Sequence, residues 1–371
     1  MHISEVTFSD DILTIVWRNG TASRFHAIWL RDNAQGPDYR HPQNDQRLFD
    51  LTDLPATVTI AGAESDDGFV TVRFQPEDIS VRYSAAFLFQ YAYDPPSETQ
   101  QPVWDATLGR DIVRHAYDRV VADASARLHW IEDAVDHGIS LITGVPCEPG
   151  HVLKTAEIFG IVRETNYGRL FEVRSEPKPV NLAYTPVGLN VHTDNPYRDP
   201  VPGLQLLHCL VNDADGGQSV FVDGFRTASL LRNEDPDAFR LLSTYTLPFR
   251  YRESGTDLRS RKRLIELDDR GQITAVRYNN RSAAPLDLPF DIAGDYYRAY
   301  RKFARLLHQP EGELRLKLMP GDLVLFDNER VLHGRTGFSG GARHLQGCYA
   351  DKDALRSMRH VLTTELREAA E

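Results

Sequence analysis

Within the segment GLNVHTDNPY, His192 and Asp194 stand two positions apart, behind a glycine and just ahead of a proline. Two histidines and one carboxylate on one face of a ferrous ion leave three positions open, the arrangement iron(II) needs to activate dioxygen. Side chains alternate along an extended strand, so residues i and i+2 can reach one ion together. His-x-Asp therefore offers two of three ligands. The best third candidate lies far downstream in MPGDLVLFDNERVLHGRTGF, where an apolar strand ends at Asp327-Asn328 and a second extended run presents His333 beside Gly334. Arg343 follows in GARHLQGCYA. Its guanidinium is suited to clamp the far carboxylate of a dicarboxylate cosubstrate through paired hydrogen bonds. A bare H-x-D recurs by chance in chains of this size, so the specificity lies in the combination with the distal histidine and the arginine beyond it. His208, His344, Arg335 and Asp327 lack a matching partner on this assignment and are given structural roles.

The elements that must position these residues are mostly short strands. DILTIVWRNGTASRFHAIWL predicts a hairpin around Asn19-Gly20, and ATVTIAGAESDDGFVTVRF another around Asp67-Gly68. A short helix with Ser84 as its N-cap follows in YSAAFLFQYAYD. The polar, proline-rich DPPSETQQP reads as a linker, which separates a small β-rich domain over 1–95 from a larger domain over 103–371. Beyond it, SARLHWIEDAVDHG spaces Leu128, Ile131 and Val135 along one helix face and ends at Gly138, and the strand ISLITG follows. GLQLLHCL, QSVFVDGF, RLIEL, ITAVRY, ELRLKL and DLVLFD continue as strands, with one long helix over FDIAGDYYRAYRKFARLLHQ. Such short strands with Gly and Pro turns favour a closed or sandwiched β architecture, a jelly roll, over a parallel α/β sheet. The whole is mainly β with helices.

Composition bounds the partners. The chain has 371 residues, of which 41% are hydrophobic and 10% aromatic, enough for a large core or two unequal ones. Its formal net charge of -11 is spread along the chain with both signs mixed, which argues against nucleic acid or an anionic membrane as a main partner. A small polar molecule is the expected substrate. The start, MHISEVTFSDDILTIVW, has no basic n-region, and no stretch approaches the apolar length of a membrane span, so the expected compartment is the cytoplasm. Cys147, Cys209 and Cys348 lie far apart without a C-x-x-C pair and read as reduced, partly buried thiols.

The runs NLAYTPVGLNVHTDNPYRDPVPGLQLLHCLVNDADGGQSVFVDGF and MPGDLVLFDNERVLHGRTGFSGGARHLQGCYAD strongly resemble the γ-butyrobetaine and trimethyllysine dioxygenase family. HAIWLRDN and RHPQNDQRLFD resemble its small N-terminal domain. The resemblance implies a hydroxylase on a double-stranded β-helix that depends on iron(II), 2-oxoglutarate and dioxygen, with ascorbate as a possible stimulant and a homodimer as the default assembly. It implies His192, Asp194 and His333 as iron ligands and Arg343 as the 2-oxoglutarate anchor. It also implies an aromatic cage for a trimethylammonium group, which has no N–H to donate and is met by ring faces. The cage positions fall on Tyr167, Phe171, Tyr184 and Tyr349, with phenylalanine at 171 where members commonly have tryptophan. Asparagines meet the anionic end of the family's substrates, matching Asn181 and the YNN run at Asn279 and Asn280.

Two departures from the family pattern carry consequences. Members often hold zinc in the small domain, whereas Ala34, Gly36 and Tyr39 stand where sulfur is expected and Tyr91 where a histidine is, so no zinc is expected. Tyr39 and Tyr91 are then expected to fill the space. Arg281 directly follows Asn280, and an added guanidinium favours a head group with more charge and oxygens than a carboxylate. That points to the related subfamily that hydroxylates 2-(trimethylamino)ethylphosphonate beside phosphorus, with γ-butyrobetaine hydroxylation to carnitine as the alternative. A betaine-binding protein without chemistry and a metal-assisted hydrolase or isomerase are weaker competitors, since neither calls for both the intact triad and Arg343.

Overall fold

The computed structural model describes residues 2–94, 102–174 and 187–370. The chain divides into two compact units, Met1–Gln100 and Gln101–Glu371. Most of the proline-rich linker segment lies outside the described residues.

In the first unit, β1 (Ile3–Phe8), β2 (Ile12–Trp17) and β3 (Ala22–His26) form one antiparallel sheet and lead into helix α1 (Ala27–Asp32). A second sheet holds β4 (Thr59–Asp66), β5 (Phe69–Gln75) and β6 (Ile79–Ser84), followed by α2 (Ala85–Gln90). Both expected hairpins are present. Asp67 (φ 42°) and Gly68 (φ 79°) each adopt the left-handed conformation that a tight two-residue hairpin turn requires. Alternation buries Leu13, Ile15 and Trp17 on β2 and Val70, Val72 and Phe74 on β5 in one core. The Ser84 side chain caps α2 by accepting from Phe87 N. Where family members carry zinc ligands, Ala34 is fully buried and Tyr39 packs edge-on against Phe49 beneath the Arg31 guanidinium. Tyr91 is 51% exposed and touches Phe87, so it fills little space.

The second unit opens with α3 (Leu108–Asp111), β7 (Arg114–Ala116) and α4 (Tyr117–Ala122). Next come α5 (Ala124–His137), closed by Gly138 in the left-handed conformation, and β8 (Ile139–Thr143). Helix α6 (His151–Ala156) and the short strands β9 (Val162–Arg163) and β10 (Phe171–Arg174) follow. After the undescribed stretch the chain continues with β11 (Leu189–His192), β12 (Leu204–Asn212), β13 (Asp215–Gly216) and β14 (Ser219–Asp223). A long insertion then contributes α7 (Gly224–Glu234), α8 (Pro236–Thr244) and the hairpin β15 (Thr246–Glu253) and β16 (Thr256–Arg263). It ends with the hairpin β17 (Ile265–Leu267) and β18 (Ile273–Val276) and helix α9 (Phe290–Leu307). The last strands are β19 (Glu313–Leu316), β20 (Leu323–Asp327), β21 (Val331–Arg335), β22 (Phe338–Ser339) and β23 (Arg343–Ala350), and α10 (Lys352–Glu368) closes the chain.

These strands form a double-stranded β-helix. The larger sheet runs β10-β23-β12-β20-β8-β7 and the smaller β11-β21-β14-β19. Between them lies a core of Leu207, Phe221, Leu314, Phe326 and Leu345, in which the Phe221 and Phe326 rings meet edge to face at 5.5 Å. The outer face of the larger sheet, with Leu206, Leu325 and Cys348, is covered by α5, α6 and α10. Val220, Val222 and Leu332 on the outer face of the smaller sheet meet α7, α8 and α9. Both faces of β12 and β14 are therefore covered, which is why these strands read as unbroken apolar runs. Among the described residues no helix is long and apolar enough to cross a membrane. Cys209 and Cys348 are buried and Cys147 exposed, all as free thiols.

Candidate active site

Strand β11 pairs antiparallel with β21 so that His192 lies directly opposite His333. Gly334 permits this pairing, because a Cβ there would fall 2.4 Å from Leu189 O. The imidazole centroids are 4.5 Å apart. The extended run stops at His192, and Asp194 sits just beyond it, fixed by a residue the sequence did not single out. Fully buried Asn328 accepts from Asp194 N at 2.7 Å and donates to Asp194 O at 3.0 Å and Pro202 O at 2.9 Å. Donor atoms of His192, Asp194 and His333 all fall within 4.8 Å of one another, the one such group among the described residues.

The electronic state of this triad suits a divalent cation. His192 Nδ1 lies 2.9 Å from Asn190 O, and since a carbonyl only accepts, Nδ1 carries a hydrogen, which turns Nε2 toward Asp194 Oδ1 at 3.3 Å. His333 Nε2 is 3.8 Å from Asp194 Oδ2. Burial, and then the neighbouring His192, push the His333 pKa down to about 3, so its imidazole is neutral at neutral pH, as a metal ligand must be. Burial alone would raise Asp194, but His333 and His192 overcome it and hold the carboxyl well below its ordinary range. Tyr349 Oη donates to Asp194 Oδ2 at 2.8 Å.

The triad opens onto a cavity of about 440 Å³. Arg343 lines it from β23, with Nε and Nη1 buried and without a hydrogen-bond partner among the described residues, as an anchor awaiting an anion would be. Arg335 lines it too, a placement its assignment to a structural role did not anticipate. The signal was present: Arg335 is two positions after His333 on one strand, and the alternation used for His192 and Asp194 puts both on the same side. His208 is fully buried on β12, His344 pairs with Glu172, and Asp327 meets Lys352 at 3.2 Å, all consistent with structural roles.

Of the expected cage, Tyr167, Phe171 and Tyr349 line the cavity, and Tyr184 and Asn181 lie outside the described residues. The Phe171 and Tyr349 centroids are 5.0 Å apart, and Phe171 lies over Gly347, where a Cβ would be 2.4 Å from its ring. Sequence reasoning missed two further aromatics. Tyr197 and Tyr251 stack at 5.0 Å, and Tyr197 Oη reaches Asn195 Oδ1 at 2.6 Å and Tyr167 Oη at 3.3 Å. The two asparagines of the YNN run separate. Asn279 lines the cavity while donating to Thr193 O at 2.9 Å, whereas exposed Asn280 is outside the lining and accepts from Tyr300 Oη at 3.5 Å. Arg281 lines the cavity and keeps solvent contact.

The profile of the taurine catabolism dioxygenase TauD, TfdA family matches residues 99–349, and that of the γ-butyrobetaine hydroxylase-like N-terminal domain matches residues 5–89. This chain belongs to the TauD/TfdA dioxygenase family. The dioxygenase is 37% identical over 369 residues to γ-butyrobetaine dioxygenase of Pseudomonas sp. strain AK-1, covering 97% of this chain and 95% of that one. It is 31% identical to the human γ-butyrobetaine dioxygenase, covering 95% and 94%. Bovine mitochondrial trimethyllysine dioxygenase is 29% identical, covering 91% of this chain and 83% of its own. Iron(II), 2-oxoglutarate and dioxygen are the cofactor and cosubstrates of the dioxygenase.

Proposed function

We propose that the dioxygenase hydroxylates a small trimethylammonium zwitterion, with γ-butyrobetaine, giving carnitine, as the substrate to assign first. The observation that carries this reading is end-to-end likeness to the Pseudomonas γ-butyrobetaine dioxygenase, 37% identical over 97% of this chain. Arg281 alone points to a phosphonate, and likeness along the whole chain outweighs one side chain.

In this reading His192 Nε2, the Asp194 carboxylate and His333 Nε2 hold iron(II), and Arg343 receives the distal carboxylate of 2-oxoglutarate. The chemistry iron(II) supplies when bound is oxidative decarboxylation of 2-oxoglutarate by dioxygen, one oxygen atom leaving in succinate and the other entering a substrate C–H bond. Tyr167, Phe171 and Tyr349 turn ring faces toward the trimethylammonium group, and Tyr184 joins them by family resemblance. Tyr197 and Tyr251 extend that wall. Asn279 has one amide hydrogen engaged by Thr193 O and a second for the substrate anion, and Asn181 joins it by family resemblance. The cage and the anion grip together fix which C–H bond faces the metal, so selectivity is a matter of positioning.

A second reading, 2-(trimethylamino)ethylphosphonate, is favoured by the presence of Arg281 in the cavity lining. Side-by-side turnover of the two zwitterions with iron(II), ascorbate and 2-oxoglutarate, on wild type and Arg281→Ala, tests both. The first reading expects higher kcat/KM on γ-butyrobetaine and little change in the variant. A preference for the phosphonate that Arg281→Ala abolishes assigns the second. No succinate above background with either substrate would overturn the trimethylammonium reading.

A further inference from the structure

Arg335 and Arg343 come from opposite sheets of the β-helix, on β21 and β23, and converge on one cavity. Two guanidiniums so placed repel each other. The chain between the two strands, residues 336–342, carries a single aromatic residue, Phe338. Both guanidinium carbons lie over its ring, Arg335 at 5.2 Å and Arg343 at 5.7 Å from the centroid. Phe338 is half-buried and is not among the side chains lining the cavity, so it meets the arginines from outside the space a ligand would occupy.

The ring is itself held. Phe338 lies on β22, which pairs with β13 through Gly216–Phe338 and Asp215–Ser339. Gly217 N donates to Gly337 O at 3.1 Å, Thr336 N to Gln218 O at 2.9 Å, and Asp213 N to Ala342 O at 2.8 Å, zipping the two segments together. Gly217, with φ 63°, lets the arginine stem through: a Cβ there would be 3.2 Å from both Arg343 Cδ and Phe338 Cβ.

We infer that Phe338 is a positioning residue that holds the Arg343 guanidinium in place for the cosubstrate carboxylate. The face of an aromatic ring partly offsets the cost of burying a cation, and more so when water is excluded. It thereby keeps Arg343 in place before any anion arrives, which reduces what must be ordered on binding. This rests on the reading of Arg343 as the 2-oxoglutarate anchor.

The test is calorimetric binding of 2-oxoglutarate to the full chain loaded with redox-inert Mn(II), for wild type, Phe338→Ala, Phe338→Tyr and Arg343→Ala, with steady-state kinetics on γ-butyrobetaine alongside. Phe338→Ala is expected to weaken 2-oxoglutarate binding on the order of 3- to 30-fold, the range of a partly desolvated cation–π contact. Phe338→Tyr restores most of it. The KM for γ-butyrobetaine and kcat at saturating 2-oxoglutarate stay unchanged. Wild-type affinity in Phe338→Ala beside lost affinity in Arg343→Ala overturns the inference while leaving the anchor reading intact. Wild-type affinity in Arg343→Ala overturns the anchor reading itself. Equal losses for cosubstrate and substrate in Phe338→Ala, or no rescue by tyrosine, reduce Phe338 to a general structural residue and also overturn the inference.

Discussion

Tyr349 Oη donates a 2.8 Å hydrogen bond to Asp194 Oδ2, so a ring of the expected ammonium cage is tied to a candidate iron ligand. Burial, and then Asp194 itself, push the tyrosine pKa well above its ordinary value, which keeps the hydroxyl a donor. Partners of this kind orient a ligating carboxylate, and their loss typically weakens metal binding about 10- to 100-fold. Tyr349→Phe keeps the ring and removes the bond. The expected outcome is an Mn(II) affinity at least about tenfold weaker, read by titration, with a smaller change in substrate KM.

Gly334 makes a second prediction. A methyl group there meets Leu189 O at 2.4 Å, so β11 must move away from β21 and carry His192 from its place opposite His333. Gly334→Ala is expected to cost about 1–3 kcal/mol in urea unfolding. It is also expected to abolish metal binding, although no ligand is changed.

The buried pair of Asp223 and Arg330 anchors the same unit. Arg330 donates to both Asp223 oxygens, at 3.2 and 3.0 Å, and to Asp136 O and Pro102 O at 2.8 and 2.6 Å, while Asp223 also accepts from Trp104 N. Both side chains are all but solvent-free, at 1% and 0% exposure. Removing one partner leaves a buried charge alone, so Asp223→Ala is expected to destabilise by about 3–5 kcal/mol in denaturant unfolding.

Acid should weaken the metal-free protein through His208. Burial, and then His151, lower its pKa to about 4, with the Val145 backbone pulling the other way. An unfolded-state imidazole near pH 6.5 binds its proton first, so stability falls as pH drops from about 6.5 toward 4, by up to about 1.4 kcal/mol per pH unit. His208→Leu is expected to flatten this part of the melting-temperature profile. An unchanged slope would contradict the assignment.

What the sequence disclosed and what it hid follow from the range of the contacts involved. The turns at Asn19-Gly20 and Asp67-Gly68 are local signals, and both hairpins are there. The unbroken apolar runs of β12, β14 and β20 mark strands covered on both faces. Helix α10 carried a legible stripe that was passed over, Leu355, Met358, Leu362 and Leu366 at helical spacing. Helix α8 carried a legible start that was passed over, Asp235 capping Ala238 N ahead of Pro236. Strand β16 is charged along its length, so its alternation hides among Arg and Lys. Within the site, residue types and spacing selected the triad and Arg343. Asn328 could not be found that way, since its role is a backbone clasp on Asp194 across 134 positions.

The central claim is that His192, Asp194 and His333 bind one iron ion. Anomalous diffraction at the iron edge, from crystals of the full chain grown anaerobically with iron(II) and 2-oxoglutarate, tests it most directly. The account predicts one strong peak per chain, within bonding distance of His192 Nε2, an Asp194 carboxylate oxygen and His333 Nε2. Iron bound elsewhere, or bound without the His333 imidazole, would contradict it.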